Sequence, residues 1–255
     1  MSFLERRINL RFQLGTGAFG EDGANVIELS GLRCECEITK AGGIAASSLD
    51  LRVWGLSLDA TNKLTVINQI MLETARKNTV TVMAGDNESG LAVCFDGMMG
   101  EAWGDFHGQP DVAFHVTAYA GRLDAIRPIP PTTFNGSADV ATVLAGICAQ
   151  MQPPRTLQNN GINIRLQDPY LPGTAIDQIK AIARHANINA VLDDGNVLAI
   201  WPAGGSRGAS APGDAAPGSS LIPVISPDTG MVGYPDFTYN SVRARTLYNP
   251  SLMIG

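Results

Sequence analysis

From Arg7 to Leu14 every second residue is apolar: Ile8, Leu10, Phe12 and Leu14 alternate with Arg7, Asn9, Arg11 and Gln13. A period of two places the two sets on opposite sides of an extended strand, one side buried and one wet. The pattern recurs. Leu32, Cys34, Cys36 and Ile38 alternate with Arg33, Glu35, Glu37 and Thr39, and Leu49, Leu51 and Val53 alternate with Asp50, Arg52 and Trp54. Val112, Phe114, Val116 and Ala118 form the apolar side of a strand over residues 111–123. Further strands are predicted near residues 25–29, over 79–83 and over 91–105, with a turn at 85–90. One helix interrupts them, at residues 59–71, with Leu64 and Ile67 on one side and Ser57 or Asp59 as its N-cap. Residues 1–127 are therefore expected to form one antiparallel sheet domain with a single helix, a curled sheet or a β-barrel.

Pro128, Pro130 and Pro131 mark a boundary, and the periodicity then changes. A helix is predicted to start at Ser137-Ala138-Asp139, with Val140, Val143, Leu144 and Ile147 at helical spacing, and to end at Gln152-Pro153-Pro154. A short strand at 162–166 follows. A second helix spans 174–186, with Thr174 as N-cap and Asp177 near its positive end. Two strands, 188–192 and 196–201, flank the hairpin signal Asp193-Asp194-Gly195. Residues 132–202 thus read as a small α+β module. Residues 203–220 are Gly, Ala, Ser and Pro with one Arg and one Asp, the composition of a linker or mobile loop without a core anchor. Residues 221–255 return to strands, at 221–225 and in a long run at 237–248. The fold class is mainly β with an α+β insert.

Composition narrows the function. The chain is 45% hydrophobic, only 16% charged, and carries a net charge of −6. A surface poor in charge suits contact with other protein, and an acidic chain is a poor general nucleic-acid binder. The N-terminus lacks the apolar run of a signal peptide, and the longest apolar helical stretch, residues 138–151, is too short to span a bilayer. Cys34, Cys36, Cys94 and Cys148 show no CxxC spacing and read as reduced core thiols.

Several motifs imitate chemistry. Gly15-Thr16-Gly17-Ala18-Phe19-Gly20 matches GxGxxG, but the acidic, turn-like Glu21-Asp22-Gly23 follows where a phosphate-binding helix would start, so a hairpin loop is expected. Asp111 and His115 share a strand face roughly 13 Å apart, too far to pair. Asp96, Glu101 and Asp105 resemble scattered carboxylates on wet strand faces rather than a glycosidase pair. Asp193-Asp194-Gly195-Asn196 resembles the start of a calcium loop but lacks its closing glutamate. Arg6, Arg7 and Arg11 form a small basic cluster near Glu5 and Glu21. Tyr234, Phe237, Tyr239 and Tyr248 are aromatic anchors for an interface or for a core. No catalytic, cofactor-binding or metal-binding residues are assigned.

Several segments resemble the tail-hub proteins of contractile-tailed phages and prophages: Phe3-Leu4-Glu5-Arg6-Arg7-Ile8-Asn9-Leu10, Ser30-Gly31-Leu32-Arg33, Ile38-Thr39-Lys40-Ala41-Gly42-Gly43 and Leu51-Arg52-Val53-Trp54-Gly55-Leu56. Trp103-Gly104-Asp105-Phe106, Pro110-Asp111-Val112, Thr229-Gly230-Met231-Val232-Gly233-Tyr234-Pro235 and Leu247-Tyr248-Asn249-Pro250 extend the likeness over nearly the whole chain. The resemblance implies a structural virion protein, not an enzyme, that forms a homotrimer in the tail baseplate. Each subunit of such a hub supplies two tube-like barrels, with the α+β module outside. The implied partners are the tail tube or distal tube protein, the central spike and other baseplate proteins. DNA passes only as transient cargo; no cofactor and no membrane insertion are implied, and assembly takes place in the host cytoplasm. Family members continue past the Asn-Pro near residue 250. The expectation is therefore that the chain is cut short, or that its second barrel is reduced or completed by a partner. The rival readings are another tail-tube or secretion-spike component, a ligand-binding β-barrel, and a tail-associated hydrolase.

Overall fold

The computed structural model describes residues 5–20, 23–44, 47–66, 78–88, 90–193, 196–207, 224–249, 252 and 254. Seven strands form its largest sheet: β1 (Arg6–Gln13), β2 (Val26–Ser30), β3 (Cys34–Thr39), β4 (Ser48–Trp54), β5 (Thr79–Asp86), β6 (Gly90–Asp105) and β7 (Ala113–Tyr119). All neighbours are antiparallel, in the order β2-β1-β5-β6-β7-β4-β3. The sheet is not closed, because β2 and β3 are both edges. Helix α1 (Leu58–Leu64) starts at Ser57, whose hydroxyl accepts the Ala60 N–H. The part of the expected helix from residue 67 onward lies outside the described residues.

The alternation predicted from sequence sets which face is buried. Leu10 and Phe12 of β1, Leu49, Leu51 and Val53 of β4, Phe95 of β6 and Phe114 and Val116 of β7 meet in one core with Leu64 of α1. Strands far apart in sheet order share this core, so the sheet curls over its apolar face. Phe12, Phe95 and Phe114 are at most 1% exposed. Each contributes roughly 1.5–3 kcal/mol of burial free energy. Gly97 is required in β6, since a Cβ there would lie 2.7 Å from the Phe95 ring.

Strand β7 ends at Tyr119, short of the expected residue 123, and α2 (Arg122–Ile126) follows. Gly121 turns the chain with φ +68, a left-handed conformation that is easy for glycine. The helix then brings Asp124 inward.

A second core lies beyond residue 128. It is built from β8 (Thr132–Thr133), β9 (Ser137–Asp139), α3 (Val140–Cys148), β10 (Thr156–Asn159), β11 (Arg165–Gln167), β12 (Tyr170–Leu171), α4 (Ala175–His185), β13 (Ile188–Asp193) and β14 (Val197–Pro202). Val143, Leu144 and Ile147 of α3 pack with Ile176, Ile179 and Ile182 of α4 and with Leu198 and Ile200 of β14. Asp139 caps α3 through the Thr142 N–H. Thr174 and Asp177 form a full capping box on α4. The hairpin β13–β14 is as expected, with Asp194 and Gly195 of its turn outside the described residues. The expected strand at 162–166 is displaced to β11. Sequence reading also missed β10, which pairs parallel with β14 although its Leu157 alone is half-buried.

Buried polar groups fasten this unit. Gln178 is 0% exposed; its amide donates to the Pro130 and Gly173 carbonyls and accepts from the Thr132 hydroxyl, so the proline-rich boundary is tied to α4. Arg207 corrects the reading of residues 203–220 as having no anchor. It is buried, 2.5 Å from Asp193 and 2.7 Å from the Gln158 side-chain oxygen. Residues 208–220 lie outside the described residues.

The long strand expected at 237–248 is absent. Residues 236–237 (β15, Asp236–Phe237) and 242–243 (β16, Val242–Arg243) form a two-stranded ladder, and Met231 bridges Thr246. Of the strand expected at 221–225, residues 224 and 225 are described and are not in a strand. Tyr234, Phe237 and Tyr239 are largely exposed, because their segment pairs with itself rather than with either core.

Candidate functional site

Two features of the large sheet stand out: a polar outer face and an apolar seam. On the outer face, cross-strand register places Glu37, Asp50, Thr117 and Glu101 in one row and Glu35, Arg52, His115 and Trp103 in the next. Arg52 reaches Glu35 at 3.5 Å, and the His115 ring stacks on Trp103 at 4.2 Å. Glu37 and Asp50 are directly opposite, an unfavourable like-charge pair.

The seam arises because β2 covers β1 only from Asn9 to Gln13. Beside the uncovered end of β1 is a cavity of about 490 Å³, lined by Ile8, Cys36, Ile38, Val82, Ala84 and Cys94. Tyr248 enters it. Its hydroxyl oxygen lies 2.9 Å from the Cys94 sulfur and donates to the Ala84 carbonyl at 3.4 Å. Tyr248 is thus an anchor, as one of its two readings required, while Ile254 packs on Val191, Ala199 and Trp201 of the β13–β14 hairpin. All four cysteines are free thiols. Burial raises the pKa of Cys34 and, with Cys34 and Cys94 nearby, that of Cys36; it pushes Cys148 up to about 11.

The imitative motifs stay apart. Gly15 to Gly20 lie in the β1–β2 hairpin, where the Leu14 N–H donates to the Asn25 carbonyl and the Lys63 ammonium donates to the Phe19 carbonyl. Asp111 precedes β7 while His115 is engaged by Trp103. Asp96 accepts from Thr81, Glu101 faces Thr117, and Asp105 accepts from the backbone and ring of His107, which hold its carboxyl below the usual range. Arg7 pairs with Glu5 and Arg11 approaches Glu28, so the basic cluster is divided between separate partners. Among the described residues no group of three His, Cys, Asp or Glu is placed to hold a metal. Among them, too, no helix is long and apolar enough to cross a membrane.

Sequence reading missed a buried junction between sheet and module. Asp124 accepts the Gln152 N–H at 2.9 Å and lies 3.8 Å from Arg155, with both side chains about 5% exposed. Burial raises the pKa of Asp124 despite that hydrogen bond and the nearby arginines. Nothing in residues 122–126 marks an acid for burial in sequence, because the groups that cover Asp124 lie some 30 residues away.

This curled antiparallel sheet joined to an α+β unit is similar in fold to a solved tail protein. The tail protein from Neisseria meningitidis MC58 aligns with a TM-score of 0.51 at 13% identity, over 76% of this chain and 50% of that one. The 43 kDa tail protein of prophage MuSo2 from Shewanella oneidensis gives 0.47 at 14% identity, over 92% of this chain and 61% of that one. A chain of the Francisella PdpA–VgrG complex gives 0.44 at 10% identity, over 78% and 32%. The chain thus spans about half the length of the first of these relatives. No curated protein matches in sequence. The sequence model of the baseplate hub gp41 family matches residues 11–255, and the chain belongs to that family. It is a structural protein of the phage tail.

Proposed function

We propose that the chain is the subunit of a homotrimeric hub that joins the tail tube to the central spike and encloses part of the DNA channel. The observation that carries this reading is the open sheet. In a chain of a baseplate hub family, β2 and β3 leave two free edges. A free edge is a template for pairing with another chain, and a ring of subunits covers it. Residues 1–127 act as the tube-like unit, 132–202 as the outer module and 221–255 as part of a second tube-like unit. Two such units per subunit turn three-fold contacts into near six-fold ones, which match a six-fold tube. The acidic residues of the outer face, Glu35, Glu37, Asp50 and Glu101, suit a wall along which DNA slides, because like charges repel. Assembly in the host cytoplasm fits four reduced thiols.

Electron microscopy of the purified chain, alone and mixed with tube and spike proteins, tests the reading. A three-fold ring that binds both is expected. A six-fold ring would instead make it a tube component. A monomer by light scattering at micromolar concentration, with no ring in any mixture, rejects it.

A further inference from the structure

The groove between sheet and module gathers three guanidinium groups whose ion pairs are long, 3.8 Å from Arg11 to Glu28 and 3.8 Å from Arg155 to Asp124. It encloses about 620 Å³ between the outer face of β1, β5 and β6 and the segment that follows α3. Arg11, Arg122 and Arg155 line it; among the described lining residues the one carboxylate is Asp96, which is engaged by the Thr81 hydroxyl at 2.8 Å, while Asp124 lies behind Arg155. Arg11 comes no closer than 3.8 Å to Glu28. Arg122 lies over the Tyr119 ring, 5.1 Å from its centre.

Arg155 is the telling residue. Its side chain is 6% exposed, its Nε has no hydrogen-bond partner, and the Asp124 oxygen facing it is 3.8 Å away, beyond hydrogen-bond reach and itself unpartnered. A guanidinium carries five donors. The Nε–H is buried unmade, which costs free energy, and the two terminal amino groups remain for a ligand.

We propose that this groove is a docking pocket for a carboxylate carried on an acidic segment of a partner protein. A guanidinium takes a carboxylate through two parallel hydrogen bonds, and a recessed one is reached by the end of a side chain. Val93, Met98, Leu123 and Pro153 supply apolar walls for the methylenes of such a chain. Duplex DNA fits poorly, because its phosphates lie along a stiff rod that does not enter a cleft. The pocket goes beyond the hub reading and does not depend on a ring.

The test uses the full chain and an acetylated, amidated Glu/Ala hexapeptide, with a Gln/Ala hexapeptide, inorganic phosphate and a short DNA duplex as controls. Calorimetry is run at matched ionic strength. The Glu peptide is expected to bind at least about ten-fold tighter than the Gln peptide. Arg155→Lys keeps the charge but loses the fork, and is expected to weaken binding about ten-fold. Arg122→Gln, at a half-buried position, gives the same sign if the buried variant fails to fold. Equal binding of the two peptides overturns the proposal. So does unchanged affinity in Arg122→Gln and Arg155→Lys, or equal or tighter binding of phosphate or the duplex. A chain that binds the Glu peptide but forms no ring in any mixture leaves the pocket standing while the hub reading falls.

Discussion

Phe114 in β7 and Phe237 in β15 each stand in a stretch that reads as strand, yet one is 1% exposed and the other 77%. β7 is paired on both sides, by β6 and β4, and its inward side chains meet residues of β1 and β5 across the curl. Among the described residues β15 pairs only with β16, two residues long, and no layer covers Phe237. Alternation defines the two faces of a strand; burial needs a second surface to press against. The first region supplies that surface from within the chain. The second carries its aromatic groups on the outside, as a segment that assembles with other protein would.

Substitutions can break or sharpen this comparison. Phe114→Ala should have the largest effect, about 4 kcal/mol lost in urea unfolding, from lost burial and the cavity left behind. Arg207→Ala should cost about 3 kcal/mol by the same measurement, because it removes a buried guanidinium that bonds both Asp193 and Gln158. Thr174→Ala should cost about 1 kcal/mol through loss of the α4 cap.

That last effect should depend on pH. Hydrogen bonds from the Thr174 hydroxyl and N–H hold Asp177 below its ordinary 3.8. A depressed carboxylate contributes stability that is complete above the unfolded value and lost as pH falls through the folded one. The penalty of Thr174→Ala should therefore shrink in acid. Asp124, raised by burial, has the opposite sign: its contribution falls as pH rises from 3.8 through its raised value. Asp124→Asn should remove that slope from the unfolding profile. The smallest effect is reserved for the exposed segment. Phe237→Ala with Tyr239→Ala should change the stability of the isolated chain by less than about 0.5 kcal/mol, while weakening the ring that microscopy is expected to show. A loss as large as that of Phe114→Ala would mean that residues 234–243 pack on a core after all.

The seven strands of the sheet were legible, β1, β3, β4 and β7 from their period-two faces, and so were α3 and α4, whose apolar residues recur at helical spacing. α2 was not, because its only strong local cue, Gly121, also fits a loop. β10 was not, because a parallel strand with one half-buried residue shows no alternation. The likeness to tail hubs was carried by scaffold motifs, so it foretold a family but placed no side chain in a site.

By itself, then, the sequence determined which faces are apolar and where helices are capped, because these follow from residues two to four positions apart. Only the tertiary structure decided that the sheet stays open between β2 and β3, that Asp124 and Arg155 meet beneath it, and that Tyr234, Phe237 and Tyr239 remain outside. Those outcomes depend on what lies opposite each element in space, and a periodic pattern along the chain carries no record of its neighbours across the core.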